Sequence, residues 1–126
     1  MHQAFALLTP TSDVTVPAVA AKIKAKFPIF EVKQATDTID LIDGDWDYHF
    51  AFQRGPQILE ESEGLAGRIA GLDDDDAIRT CDRRFEIWSD TPDPFMEYFE
   101  RHFQILDVLR GFKGVILVDP REPALL

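Results

Sequence analysis

The sequence predicts a two-layer α+β sandwich, in which helices cover one face of a mixed, mostly antiparallel sheet. Apolar side chains recur with the two-residue period of strands in some segments and with the 3.6-residue period of helices in others. Residues 30–53 alternate apolar and polar side chains, as an antiparallel meander with one wet face does. The chain of 126 residues is long enough to bury a core without disulfides or structural metals, so we expect a single domain over residues 1–126.

The first elements are a strand and a helix. Residues 4–8 form a short apolar run that ends at a Thr-Pro pair, which is typical of a buried strand. Thr15 is a suitable N-cap, and Pro17 is tolerated in the first turn of the helix that follows. One face of that helix is predicted to be buried, through Val16, Val19, Ala20, Ile23 and Phe27.

The clearest signal in the chain is the meander of three strands. Asp43-Gly44 is a hairpin signal between two alternating segments. After it, the aromatic residues of one strand share a face that we expect to be core: Trp46, Tyr48, Phe50 and Phe52. The other face of the same strand is predicted to be wet and carries Asp47, His49, Ala51 and Gln53.

The second half of the chain predicts two further helices and two strands. Residues 56–70 form the first helix, a short helical turn follows at 77–81, and Phe85 and Ile87 mark a strand. Asp93 as N-cap and Pro94 at the first position begin a helix that runs to Arg110. With a last strand at 115–118, the order is β-α-β-β-β-α-β-α-β. This order resembles a ferredoxin-like fold with additions, and the resemblance is one of order alone.

Charge and composition exclude several function classes. The chain has 23 acidic and 13 basic residues, and its net charge of −10 repels nucleic-acid phosphates and anionic membrane surfaces while it suits a basic protein partner. No apolar stretch approaches the length of a membrane span, and the N-terminus does not read as a signal peptide. A single cysteine, Cys81, fits a reducing compartment and an ordinary buried thiol. We therefore expect a cytoplasmic protein that binds neither nucleic acid nor membrane.

Candidate ligand-binding residues lie on and beside the wet strand face. His49 and Asp47 share that face, and an imidazole near a carboxylate is able to act as a base or a ligand group. Gln53 and Arg54 join the strand to the N-terminus of a helix, where free amides and a guanidinium can bind an anion. His102 is predicted to be buried with a tyrosine or carbonyl partner. The residues of a catalytic site cannot be assigned.

No metal site and no cofactor are predicted. The four aspartates at residues 73–76 read as a solvated loop, because adjacent carboxylates point in different directions. The sequence also lacks the zinc, nucleotide-binding and nucleophile-elbow motifs that announce familiar enzymes. This pattern favours a protein that is not an enzyme.

The sequence is compatible with two functions. The first is a non-catalytic protein-interaction module of the inhibitor, immunity or accessory type, whose carboxylates meet a basic partner. The second is a small-molecule-binding domain or minor enzyme that uses the open sheet face around His49 and Arg54. Because helices cover only one face of the predicted sheet, we also expect the open face and the edge strands to favour a homodimer.

Overall fold

The computed structural model describes residues 2–69, 75–93, 95–121 and 124–126 of the chain. Within these residues the strands are β1 Gln3–Leu8, β2 Glu31–Gln34, β3 Thr38–Asp43, β4 Trp46–Arg54, β5 Arg83–Trp88, β6 Val115–Asp119 and β7 Ala124–Leu125. The helices are α1 Val16–Lys26, α2 Pro56–Arg68, α3 Asp75–Arg79 and α4 Phe99–Arg110. The predicted order is reproduced, with the short α3 and β7 added to it.

The strands form one sheet in the order β2-β3-β4-β5-β1-β6-β7. Each neighbouring pair of described strands is antiparallel, so the mostly antiparallel character is confirmed and the parallel component of the predicted mixed sheet is not found there. The meander of β2, β3 and β4 is present as predicted. The sheet is much larger than the β-α-β-β-α-β core of a ferredoxin-like fold, and the ferredoxin-like analogy is not confirmed.

We call the side of the sheet that carries the aromatic residues of β4 the first face. Trp46, Tyr48 and Phe50 are fully buried there, which confirms that this face is core. Helices α1 and α4 cover it with apolar residues such as Ile23 and Leu106. The start of α1 is capped as expected, because the hydroxyl of Thr15 accepts a hydrogen bond from the backbone N–H of Ala18.

The opposite side, which we call the second face, also carries helices, so the prediction that helices cover one face is wrong. Leu65 of α2 and Ile78 of α3 pack with Leu7 and Val118 in a separate apolar cluster. The physical reason is that β1 and β6 are apolar on both sides, and both sides of such strands need cover. The part of the second face formed by β2, β3 and the first half of β4 carries half-buried and exposed residues.

Helix α4 begins at Phe99, five residues later than a helix begun at Pro94. The carboxylate of Asp93 does accept backbone N–H groups, from Glu97 at 2.7 Å and from Tyr98 at 3.0 Å. The regular helix cannot start there, because Met96 has a φ of 57°, in the left-handed region. Asp93 therefore organises a turn that precedes the helix.

No helix in the described ranges is both long enough and apolar enough to cross a membrane.

Candidate functional site

A cavity of about 310 Å³ opens where β1 begins, β6 ends and α4 begins. Its polar wall comes from His2, from His102 of α4 and from Arg121 after β6. The rest of its wall is mainly apolar and includes Met96, Phe99, Phe103 and Leu126. A few polar groups that converge within an apolar wall are typical of small-molecule sites.

His102 lies on the buried side of α4 and is held by Tyr48 of β4. The Tyr48 hydroxyl and the Nδ1 atom of His102 are 2.5 Å apart. Burial raises the pKa of Tyr48 well above its ordinary value, so the hydroxyl keeps its proton. Nδ1 is the acceptor available to this hydroxyl in the described part of the chain, and we therefore assign the hydroxyl as the donor. The predicted buried histidine with a tyrosine partner is confirmed.

The His102 ring is an uncharged hydrogen-bond donor at the cavity wall. The pKa of His102 is lowered to about 4, mainly by burial and in part by electrostatic interactions with His2 and Arg121, which Asp119 opposes. The ring is thus neutral at pH 7, and because Nδ1 accepts, the proton sits on Nε2. Within the described residues, Nε2 makes no hydrogen bond.

His2 stands beside His102 because Asp93 holds it there. The Nε2 atom of His2 and the Oδ2 atom of Asp93 are 2.8 Å apart, and both side chains are buried. Burial by itself raises the pKa of Asp93, but hydrogen bonds from His2 and from the N–H groups of Tyr98 and Glu97 outweigh it, and the pKa ends below its ordinary value. The His2 ring stacks on the His102 ring, with centroids 4.8 Å apart.

The mouth of the cavity is unusually apolar. Met96 is 53% exposed and Phe99 is 43% exposed, and the neighbouring Phe95 is 83% exposed. A cluster of exposed large apolar side chains beside a cavity is typical of a ligand or partner site. The left-handed backbone of Met96 also fits a functional segment, since such strain of about 1–3 kcal/mol persists mainly where function retains it.

The residues predicted on the wet strand face lie in a second polar cluster. His49 Nδ1 is 2.7 Å from Asp40 Oδ1, and its Nε2 is 3.3 Å from Asp47 Oδ2 and 3.9 Å from Asp90 Oδ2. The ring packs against Trp88 of β5 at 5.3 Å. Sequence spacing placed His49 near Asp47, and the paired strands add the other partners. Across the described residues, no group of three or more His, Cys, Asp or Glu side chains is arranged to hold a metal ion.

Gln53 and Arg54 do not join this cluster. Gln53 shares the second face with His49, but it accepts a hydrogen bond from Arg84 at 2.8 Å and donates one to Glu86 at 3.0 Å. Arg54 is exposed at the end of β4 and belongs by strand alternation to the other face. A site that combines His49 with Arg54 would have to span both faces over about 16 Å of strand.

Two further sequence candidates have clear environments. Cys81 is fully buried, and burial together with the negative charge of Asp82 raises the pKa of its thiol to about 11 against the opposing effect of Arg83. This confirms an ordinary buried thiol. Of the four aspartates, residues 73–74 lie outside the described residues and the last two begin α3.

Sequence reasoning missed the arrangement around His102. His2 was not singled out, and Asp93 was assigned only a capping role. The four members of the arrangement are far apart along the chain, at positions 2, 48, 93 and 102. The available signal was His102 itself, a polar residue on the apolar stripe of its helix.

Comparison with known proteins leaves the description at the level of an α+β protein with a histidine-lined cavity. No protein-family model, no curated protein and no solved structure matches this chain.

Proposed function

We propose that the protein binds a small, largely apolar ligand that carries a hydrogen-bond acceptor, in the cavity beside His102. The observation that carries this proposal is the neutral His102 ring. The Tyr48 hydroxyl is hydrogen-bonded to the Nδ1 atom of His102. The Nε2–H group of His102 is therefore available to a ligand, in a wall that is otherwise mainly apolar. A hydrogen bond from this N–H group to a ligand acceptor contributes about 0.5–1.5 kcal/mol to binding.

The dimensions of the cavity support a ligand of modest size. Its volume of about 310 Å³ lies at the lower end of the range for small-molecule sites. Phe99 and Phe103 form a T-shaped pair at 4.8 Å and offer ring faces and edges to an aromatic or aliphatic group. Arg121 and Asp119 also line the cavity and add polar groups that are able to orient the ligand.

The acidity of His102 favours binding over proton-transfer catalysis. A general base works best with a pKa near the working pH, and an imidazole with a pKa of about 4 is a weak base at pH 7. The same low pKa is an advantage for recognition, because the donor stays uncharged across the physiological range. The proposal is therefore a binding protein and not an enzyme.

The experiment is a ligand-observed NMR screen of uncharged, ring-containing carbonyl fragments against the full chain. His102→Phe keeps a ring in the wall and removes the donor, so hits in this cavity are expected to bind about three- to tenfold more weakly to it. His49→Phe is the matched control, because it changes a histidine on the other face. Hits that bind His102→Phe and the wild type equally would contradict the proposal.

A second candidate function, the interaction module with a basic partner, is favoured by the cluster around His49. Three carboxylates, those of Asp40, Asp47 and Asp90, meet there on the open part of the second face beside the half-exposed ring of Trp88. A positive side chain of a partner is able to contact these carboxylates and stack on the indole.

The test compares proteins that the wild type and an Asp40→Asn/Asp47→Asn variant retain from the native lysate at moderate salt. A basic protein that the wild type alone retains supports the module. Retention that is identical for the two baits contradicts it.

A further inference from the structure

A second cavity, of about 430 Å³, lies on the second face of the sheet beside α2. Its apolar wall includes Phe5 of β1 and Leu65 of α2, and its charged wall is formed by Glu61, Arg68 and Arg84. Two guanidinium groups and one carboxylate therefore share a concave surface on a chain whose net charge is −10. This local reversal of charge points to an anionic ligand.

Arg84 is buried without a full set of partners. Its side chain is 6% exposed, its Nε atom donates to Gln53 Oε1 at 2.8 Å, and its Nη2 atom lies 3.0 Å from Glu61 Oε2. The guanidinium carbon lies 4.1 Å from the centre of the Phe5 ring, which covers one side of the group. Nη1 is buried and has no hydrogen-bond partner in the described part of the chain.

A guanidinium lacking one acceptor is an energetically unfavourable arrangement. A buried donor of this kind is almost always satisfied in folded proteins, and leaving it unpaired on a charged group is costly. Among the described residues the anionic partner of Arg84 is Glu61, whose side chain is 46% exposed, so this carboxylate can turn into solvent at small cost.

We propose that this cavity binds a small organic oxyanion. Its charged head, a carboxylate or a phosphate, replaces the carboxylate of Glu61 and pairs side by side with the Nη1 and Nη2 atoms of Arg84. The fork of a guanidinium matches two oxygens of either head group. Arg68 contributes a second positive charge at the mouth, and an apolar body attached to the head group packs against Phe5 and Leu65.

This inference is independent of the function proposed for His102. Phe5 and Arg84 line the second cavity and do not line the cavity beside His102. None of the charged residues named for the second cavity touches the His102 ring. The variant His102→Phe is therefore expected to bind the anion as the wild type does, so that failure of one proposal leaves the other standing.

The test is isothermal titration calorimetry of the full chain with benzoate and, separately, with inorganic phosphate, at an ionic strength held constant with chloride. Saturable binding of at least one probe, with one anion per chain, is expected. Tighter binding of benzoate identifies a carboxylate ligand with an apolar body, and tighter binding of phosphate identifies a phosphorylated ligand.

Three variants locate the binding. Glu61→Gln removes the competing carboxylate and is expected to tighten binding about two- to fivefold. Arg68→Gln is expected to weaken it, and Arg84→Lys, which keeps the charge and loses the fork, to weaken it at least about tenfold. Glu61 and Arg68 are both exposed, so their variants are expected to fold. They therefore test the site even if Arg84→Lys fails to fold. Absence of saturable binding, or equal affinity in Glu61→Gln, Arg68→Gln and wild type, overturns the inference.

Discussion

Lowering the pH from 7 to 4 is expected to destabilise the protein through His102. The pKa of His102 falls from 6.5 to about 4 in the folded chain, mainly because of burial, while the unfolded chain keeps the ordinary value. Below pH 6.5 the unfolded state therefore binds more protons than the folded state, and stability falls as the pH drops. The stabilisation is fully present above about pH 6.5 and is lost by about pH 4, which amounts to about 3 kcal/mol.

The assay is urea unfolding at pH values between 4 and 8, for the wild type and for His102→Phe. The variant leaves the buried Tyr48 hydroxyl without its partner, so it is expected to be about 1–3 kcal/mol less stable at pH 7. Its loss of stability between pH 7 and 4 should be smaller than that of the wild type by about 3 kcal/mol. Comparing the two proteins cancels the contribution of His49, which lies on the other face of the sheet. Equal losses in wild type and variant would refute the assignment of a neutral, buried His102.

Further predictions test the strand faces, two backbone positions and association. Phe50→Ala is expected to lower the free energy of unfolding by about 3–5 kcal/mol, because Phe50 is fully buried. His49→Ala is expected to lower it by less than about 1 kcal/mol. Equal losses for the two variants in urea melts would contradict the assigned strand faces. Gly67→Ala is expected to stabilise by about 0.5–1 kcal/mol, since it is an exposed helix position where a Cβ meets nothing within 4 Å. Gly114→Ala is expected to destabilise, because φ is +75° and a Cβ would overlap the Thr9 hydroxyl; thermal melts compare the two glycine variants. Light scattering is expected to detect a homodimer formed through the open part of the second face, and a 14.3 kDa species at every concentration rules it out.

Patterns confined to neighbouring residues predicted the local elements well. The hairpin at Asp43-Gly44 forms as expected, with Gly44 at a φ of 60°. The alternation from Trp46 onwards assigned the core face of β4 because the side-chain period of a strand is two. Thr15 marked the start of α1 because its hydroxyl bonds to a backbone group within the same turn. These features depend on contacts that are short along the chain.

The sides of the sheet on which the helices pack could not be read from such patterns. The apolar run of residues 4–8 indicated a buried strand, but not that β1 lies between β5 and β6 with apolar side chains on both faces. That position creates a second apolar surface, and α2 and α3 cover it. Likewise, the local sequence around Asp93 predicted a helix start. It did not predict the hydrogen bond between Asp93 and His2, because these residues meet only in the tertiary structure.

Sequence alone determined the class of the fold, the meander, its core face and the net charge of −10. Tertiary structure alone decided which polar residues meet. His2, Tyr48, Asp93 and His102 come together because antiparallel pairing brings the start of β1 beside the end of β5, and α4 packs across β4. Arg84 loses solvent because α2 folds over the second face. The physical reason is that burial and long-range pairing set the protonation and hydrogen bonding of these groups, and neither is encoded in the spacing of residues along the chain.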